Sequence, residues 1–151
     1  MSEKLRCQRE RRLTFDRERY LGLAGLRYAM RRFLAASEAI SRNGGVTAQQ
    51  YQALLAIGCG PEALTMKDLA EQLLLQSHAA VQMVNRLEKA GLVTRSPSLS
   101  DGRSVLLKLA PEGVALLDRL ADQHLAEMLK QEPQLTESLR RLKQTTGRQV
   151  R

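Results

Sequence analysis

The sequence predicts a mainly α fold (α+β) with one small pair of strands, and three observations within residues 64–109 carry that reading. Two short helical patterns, over residues 66–73 and 77–90, are separated only by Leu74-Leu75-Gln76. Two short apolar runs follow, over residues 92–95 and 105–109. Between them, Ser96-Pro97-Ser98-Leu99-Ser100-Asp101-Gly102-Arg103 is too long for a tight hairpin and ends on charge, so it reads as an extended wing. Helices joined this tightly suit a unit that offers its second helix to a DNA major groove, and a basic hairpin tip suits a minor groove. The stretch therefore reads as a winged helix-turn-helix, with the rest of the chain as its scaffold.

Length and composition set the frame. At 151 residues the chain is sized for one domain, 1–151. Hydrophobic residues at 43% and charged residues at 26% exclude a disordered class. Aromatics are only 3%, with no Trp, so Leu and Ala must fill the core, which favours helices. A net charge of +8 and a pI of about 10.1 fit a nucleic-acid binder. A basic solvated surface, or one drawn to anionic membranes, gives the same balance. Cys7 and Cys59 form no metal or redox spacing and point to a reducing compartment. The N-terminal stretch MSEKLRCQRERR has no apolar signal core, and no apolar run is long enough to span a bilayer. A cytoplasmic protein is expected.

Residues 1–19 are dominated by charge and read as a solvated extension or arm. Residues 20–41 form the first long helix, with Leu23, Leu26, Met30, Phe33, Ser37 and Ile40 as its inner stripe. Asn43-Gly44-Gly45 stops it. Thr47 and Gln50 make a capping box for a helix that runs to about Ile57, with Tyr51, Leu54 and Leu55 inward and Cys59 as a buried filler. Thr65 caps the next helix with Asp68, and Met66, Leu69, Ala70 and Leu73 face the core. Ser77 caps the second helix of the pair, which buries Ala80, Met83, Val84 and Leu87 and ends at Gly91. His78, Gln82, Asn85, Arg86 and Lys89 take its opposite side. Pro111 opens a long helix striped by Val114, Leu117, Ala121, Leu125, Met128 and Leu129. Glu132-Pro133 is expected to break it, leaving a last helix with Leu135, Leu139 and Leu142 and a basic tail.

The ordered set Leu69-Ala70-Glu71, Arg86-Leu87-Glu88-Lys89-Ala90-Gly91-Leu92-Val93, Asp101-Gly102-Arg103 and Leu109-Ala110-Pro111-Glu112-Gly113 resembles the MarR family of bacterial transcription regulators. It covers the central half of the chain, and the flanking helices match in pattern only. The resemblance implies a homodimer in which helices over 16–42 and 111–146 form the dimerisation region and 47–109 the DNA-binding lobe. It also implies a pseudo-palindromic duplex operator as partner and repression relieved by a small-molecule effector or an oxidation event. Carried over by position, Gln76, Ser77, His78, Ala79 and Gln82 lie in the major groove. A helix N-terminus favours phosphate, and Gln82 can offer a donor and an acceptor to adenine. Arg86 and Lys89 meet phosphates, Arg95 meets the backbone at the base of the wing, and Arg103 enters the minor groove with Asp101 orienting it. The chain departs from the family pattern at Leu74, where many relatives place Gly, at Gly102, where a second Arg is common, and at Ala110-Pro111, where Leu-Thr is usual.

Blander readings stand beside these. His78 is also an ordinary first-turn residue. His124 with Glu127 one turn away reads as a solvated pair, so no metal site is expected. Cys7, flanked by Arg6 and Arg9, fits a thiol-based redox sensor, although a charged arm explains it as well. Tyr20, Tyr28 and Tyr51 lie where family members form an effector cleft, and Tyr28 and Tyr51 are its weak candidates beside a core role. No nucleophile constellation or Gly-rich phosphate loop is present, so neither an enzyme nor a cofactor is expected. Two rivals remain: a winged-helix protein-docking or architectural module without operator specificity, and an enzyme or its nucleic-acid-binding subunit, for which only basic charge speaks.

Overall fold

A computed structural model of the protein describes residues 16–60, 64–100 and 102–146. The element order is α1 (Arg17–Asn43), α2 (Ala48–Cys59), β1 (Leu64–Thr65), α3 (Met66–Gln72), α4 (Ser77–Lys89), β2 (Val93–Pro97), β3 (Val105–Leu109) and α5 (Pro111–Thr146). Its parts gather into two compact units, one from Leu34–Glu127 and one from the described portions of Met1–Phe33 and Met128–Arg151. Cys7 and Asp101 lie outside the described residues.

The unit Leu34–Glu127 holds the winged helix-turn-helix. Local chemistry starts its helices. Thr47 accepts the Gln50 amide while the Gln50 side chain accepts the Thr47 amide, and Thr65 and Asp68 repeat that reciprocal pair. Hydrogen bonds from Thr65, above all from its side chain, hold the Asp68 carboxyl below the usual range. Leu54, Leu64, Leu69, Leu87, Leu107 and Leu120 are fully buried at the centre of the core. Each such side chain contributes about 1.5–3 kcal/mol by leaving water.

The sheet is antiparallel in the order β1-β3-β2. Arg95 and Leu64 each register with Leu107, so the buried Leu107 is paired on both sides. The first strand was absent from the sequence reading because two residues are too few to show alternation. At the junction after the sheet, the Ala110 amide donates to the Leu92 carbonyl at 2.9 Å. A Cβ on Gly113 would stand 2.0 Å from that same carbonyl oxygen. Only glycine lets α5 begin this close to the backbone after α4.

Several expectations are corrected here. Leu55 faces outward, and Cys59, four residues on along the same helical face, is exposed with it and is no buried filler. The cap of α4 is Gln76, one residue before the expected Ser77, and its side chain makes no capping bond. The helix closes at Ala90, and Gly91 follows at φ 76°, the left-handed residue just past the end. The second strand runs on to Pro97.

His124 is buried and not part of a solvated pair. It stacks on Tyr51, and its two ring nitrogens lie 2.8 Å from Ser37 Oγ and 2.7 Å from the Leu120 carbonyl. On α5 within this unit the buried positions are Gly113, Leu116, Leu120 and His124, whereas the predicted stripe residues Val114 and Leu125 are exposed. A histidine in the buried row hid its phase.

In the other unit α5 continues without a break through Pro133 to Thr146. Proline removes the amide that would bond the Leu129 carbonyl. Leu129 is an exposed residue, and the helix runs on past the proline. The residues buried here are again small or polar: Gly22, Ala29, Gln131 and Ser138. A Cβ on Gly22 would stand 2.8 Å from Leu142 Cγ, which shows how closely α1 and α5 approach. Arg141 ties them by donating to Glu18 at 2.6 Å, while Glu137 on its own helix accepts from it at 2.8 Å. The start of α1 at Arg17, earlier than expected, follows from Asp16, whose carboxylate accepts the Arg19 amide at 3.2 Å. Leu23 and Met30 of the expected inner stripe are exposed.

Candidate nucleic-acid interface

The turn before α4 is the first feature of the site. Leu74 stands at φ 54°, the left-handed conformation that glycine adopts at least cost. Its carbonyl neighbours are arranged as in a helix stop: the Leu74 amide donates to the Glu71 carbonyl at 3.2 Å and the Leu75 amide to the Ala70 carbonyl at 2.9 Å. The turn thus holds a left-handed backbone with a leucine side chain on it.

Ala80, Met83, Val84 and Leu87 anchor α4 in the core, as its 3.6-residue period predicts. His78, Gln82, Asn85 and Lys89 are all exposed. They recur at steps of four, three and four, so they form one row along the helix. Gln76 and Ser77 are exposed at the start, Ala79 is half-buried, and Arg86 is exposed beside the row. Gln76 makes no side-chain cap, so its side chain leaves the first-turn amides at the positive end of the helix dipole uncapped.

The wing closes by a bond from the Ser98 amide to the Ser104 carbonyl at 2.9 Å. Leu99, Ser100, Gly102 and Arg103 are exposed at its tip. At its base Arg95 is engaged. Its Nε donates to Glu88 Oε2 at 3.0 Å, and its Nη2 donates to Glu88 Oε1 at 3.1 Å and to Asn85 Oδ1 at 2.6 Å. This pairing, chiefly its hydrogen bonding, holds the Glu88 carboxyl below its ordinary range and raises the Arg95 guanidinium further. Asn85 and Glu88 were given no site role by sequence reasoning. Only their placement on the helix flank nearest β2 signals one.

The structure thus brings Gln76, Ser77, His78, Gln82, Arg86 and Lys89 together on one helix, with Arg95 beside it. The weak effector candidates are not alike. Tyr51 is buried against His124, whereas Tyr28 is exposed with the Arg32 guanidinium 5.9 Å above its ring. Among the described residues, no group of three or more His, Cys, Asp or Glu side chains is placed to hold a metal ion. No described helix is long and apolar enough to cross a membrane.

A family model described as MarR family matches residues 44–104. The sequence is 42% identical over 77 residues to the organic hydroperoxide resistance transcriptional regulator of Bacillus subtilis (strain 168), covering 51% of this chain and 52% of that protein. It is 30% identical over 99 residues to the HTH-type transcriptional regulator FarR of Neisseria gonorrhoeae, covering 66% of this chain and 67% of that one. The chain thus spans about half the length of the first of these relatives. The crystal structure of CouR from Rhodococcus jostii RHA1 bound to p-coumaroyl-CoA aligns with a TM-score of 0.61 at 25% identity, over 68% of this chain and 71% of that one.

Proposed function

The chain belongs to the MarR family, and on that premise we propose that it is a homodimeric, sequence-specific duplex-DNA-binding transcriptional regulator, a repressor released by a small-molecule effector. It works in the bacterial cytoplasm by binding and not by catalysis. The observation that carries this reading is the exposed row His78, Gln82, Asn85 and Lys89 on a helix whose first turn has no side-chain cap. Such a helix offers amide donors to phosphate and side chains to base edges at once. Gln76, Ser77, His78, Ala79 and Gln82 read the major groove, Arg86 and Lys89 hold phosphates, and Arg103, with Asp101, serves the minor groove.

Exposed apolar side chains support the dimer. Leu21, Leu23, Met30, Met128, Leu129 and Leu139 stand on α1 and α5 within one unit, where a second copy would cover them. An effector site for an organic anion or thioester fits the ligand named for CouR. Tyr28 and Tyr51, which belong to different units, are two separate candidates for contact with such a ligand.

The test is fluorescence anisotropy of the full chain on the duplex upstream of its own coding sequence and on a scrambled duplex, over several salt concentrations. Preferential binding by a dimer, with affinity falling steeply as salt rises, is expected. A monomer, or equal binding to both duplexes, overturns the reading.

A further inference from the structure

We propose that Asn85 is a further DNA-contacting residue of α4, locked by Arg95 so that it offers only its amide N–H donors to a hydrogen-bond acceptor of the duplex. This deepens, and rests on, the DNA-binding reading above.

An unconstrained asparagine amide presents a donor and an acceptor side by side, which suits adenine. Here that pair is split. Arginine carries only donors, so the Asn85 edge facing Arg95 Nη2 at 2.6 Å must be Oδ1. The orientation of the amide is therefore set by chemistry. Glu88 fixes the guanidinium from its other edge through Nε and Nη2, at 3.0 and 3.1 Å, so Arg95 cannot turn away without breaking a two-bond pair.

Asn85 remains exposed, in the same row as His78, Gln82 and Lys89. Its two Nδ2 protons are what it can present there. They suit a phosphate oxygen, guanine O6 and N7, adenine N7 or thymine O4, and they do not suit the donor amino groups of adenine or cytosine. Arg95 thereby becomes a positioning residue. It joins the base of the wing to α4 and selects which half of the Asn85 amide faces outward, in place of the backbone contact expected from the sequence.

The test uses the full chain, a duplex that it selects from a random-sequence pool, and a scrambled duplex. Asn85→Ala is expected to weaken binding roughly tenfold, as for one lost hydrogen bond to a charged or well-placed acceptor. Asn85→Asp keeps an acceptor for Arg95 and keeps the fold, yet has no donor, and is expected to lose more than Asn85→Ala. Arg95→Lys keeps the charge without the fork and is expected to match Asn85→Ala. The double variant Asn85→Ala/Arg95→Lys is expected to lose little more than either alone.

Equal loss on both duplexes assigns the acceptor to a phosphate, and loss on the selected duplex alone assigns it to a base edge. Wild-type affinity for Asn85→Asp overturns the contact. Wild-type affinity for Arg95→Lys, or additive losses in the double variant, overturns the lock. Should Arg95→Lys not fold, Asn85→Asp decides the contact by itself. Failure of the wild type to select or bind any duplex overturns the functional reading as well, so the two failures are distinguishable.

Discussion

The imidazole of His124 stacks on the phenol ring of Tyr51, with centroids 3.9 Å apart and planes within 2°. The Leu120 carbonyl can only accept, so His124 Nδ1 donates to it at 2.7 Å. In the neutral ring Nε2 then accepts from Ser37 Oγ at 2.8 Å. The stack and the two bonds bring α1, α2 and α5 together at one buried point. His124→Leu has a similar volume but leaves the Ser37 hydroxyl without this partner. We expect a loss of about 1–3 kcal/mol. Urea unfolding measures it as a lower midpoint at unchanged slope. Ser37→Ala in the same background should cost little more, since the bond is already gone.

Leu74 holds a positive φ of 54° with its side chain 93% exposed. A left-handed residue other than glycine costs about 1–2 kcal/mol, and here burial offsets none of it. Glycine loses part of that gain to the freedom it adds to the unfolded chain. Leu74→Gly is therefore expected to stabilise the protein by about 1 kcal/mol, read as a raised thermal midpoint. A lowered midpoint would mean that the side chain makes a contact that the backbone argument ignores.

What is legible in the sequence is what neighbouring residues decide by themselves. The capping boxes at Thr47/Gln50 and Thr65/Asp68 are local, so three residues suffice to reveal them. The buried face of α4 is a plain apolar period, and its exposed row follows by subtraction. The phase of α5 was hidden because His124, Gln131 and Ser138 occupy buried positions that an apolar stripe cannot reveal. Pro133 misled because whether a helix tolerates a proline is a tertiary matter. In the site, residue identities on α4 were readable, but the pairing of Arg95 with Glu88 and Asn85 was not. It joins a strand to a helix seven and ten residues away, and register and twist decide it.

Glu137 has the most displaced acid among the described residues. The Arg140 guanidinium, first by hydrogen bonding and then by charge, and Arg141 behind it hold its carboxyl down from 4.5 to about 2. A folded-state value below the unfolded one means that the ionised form favours the fold. That contribution is complete above about 4.5 and is lost as pH falls towards about 2. Thermal melts of wild type and Glu137→Gln should thus differ most at pH 5 and above and converge by pH 2. The groups face solvent, so added salt should shrink the difference. A difference that persists at pH 2 would assign the effect to packing instead of charge.

Gly102 stands at the wing tip next to Arg103. No heavy atom lies within 4 Å of where its Cβ would be, and its φ is outside the left-handed range, so a side chain fits there without strain. The glycine is thus dispensable to the fold of the wing, and its consequence is electrostatic: it adds no charge beside Arg103. Gly102→Arg should leave the melting temperature unchanged. It should tighten binding to selected and scrambled duplexes alike, because a phosphate contact carries no sequence information. The dependence of log affinity on log salt should steepen by about 0.9, the value for one further phosphate neutralised. Unchanged affinity with an unchanged slope would mean that the wing tip does not reach the duplex, and the minor-groove role of Arg103 would then fall with it.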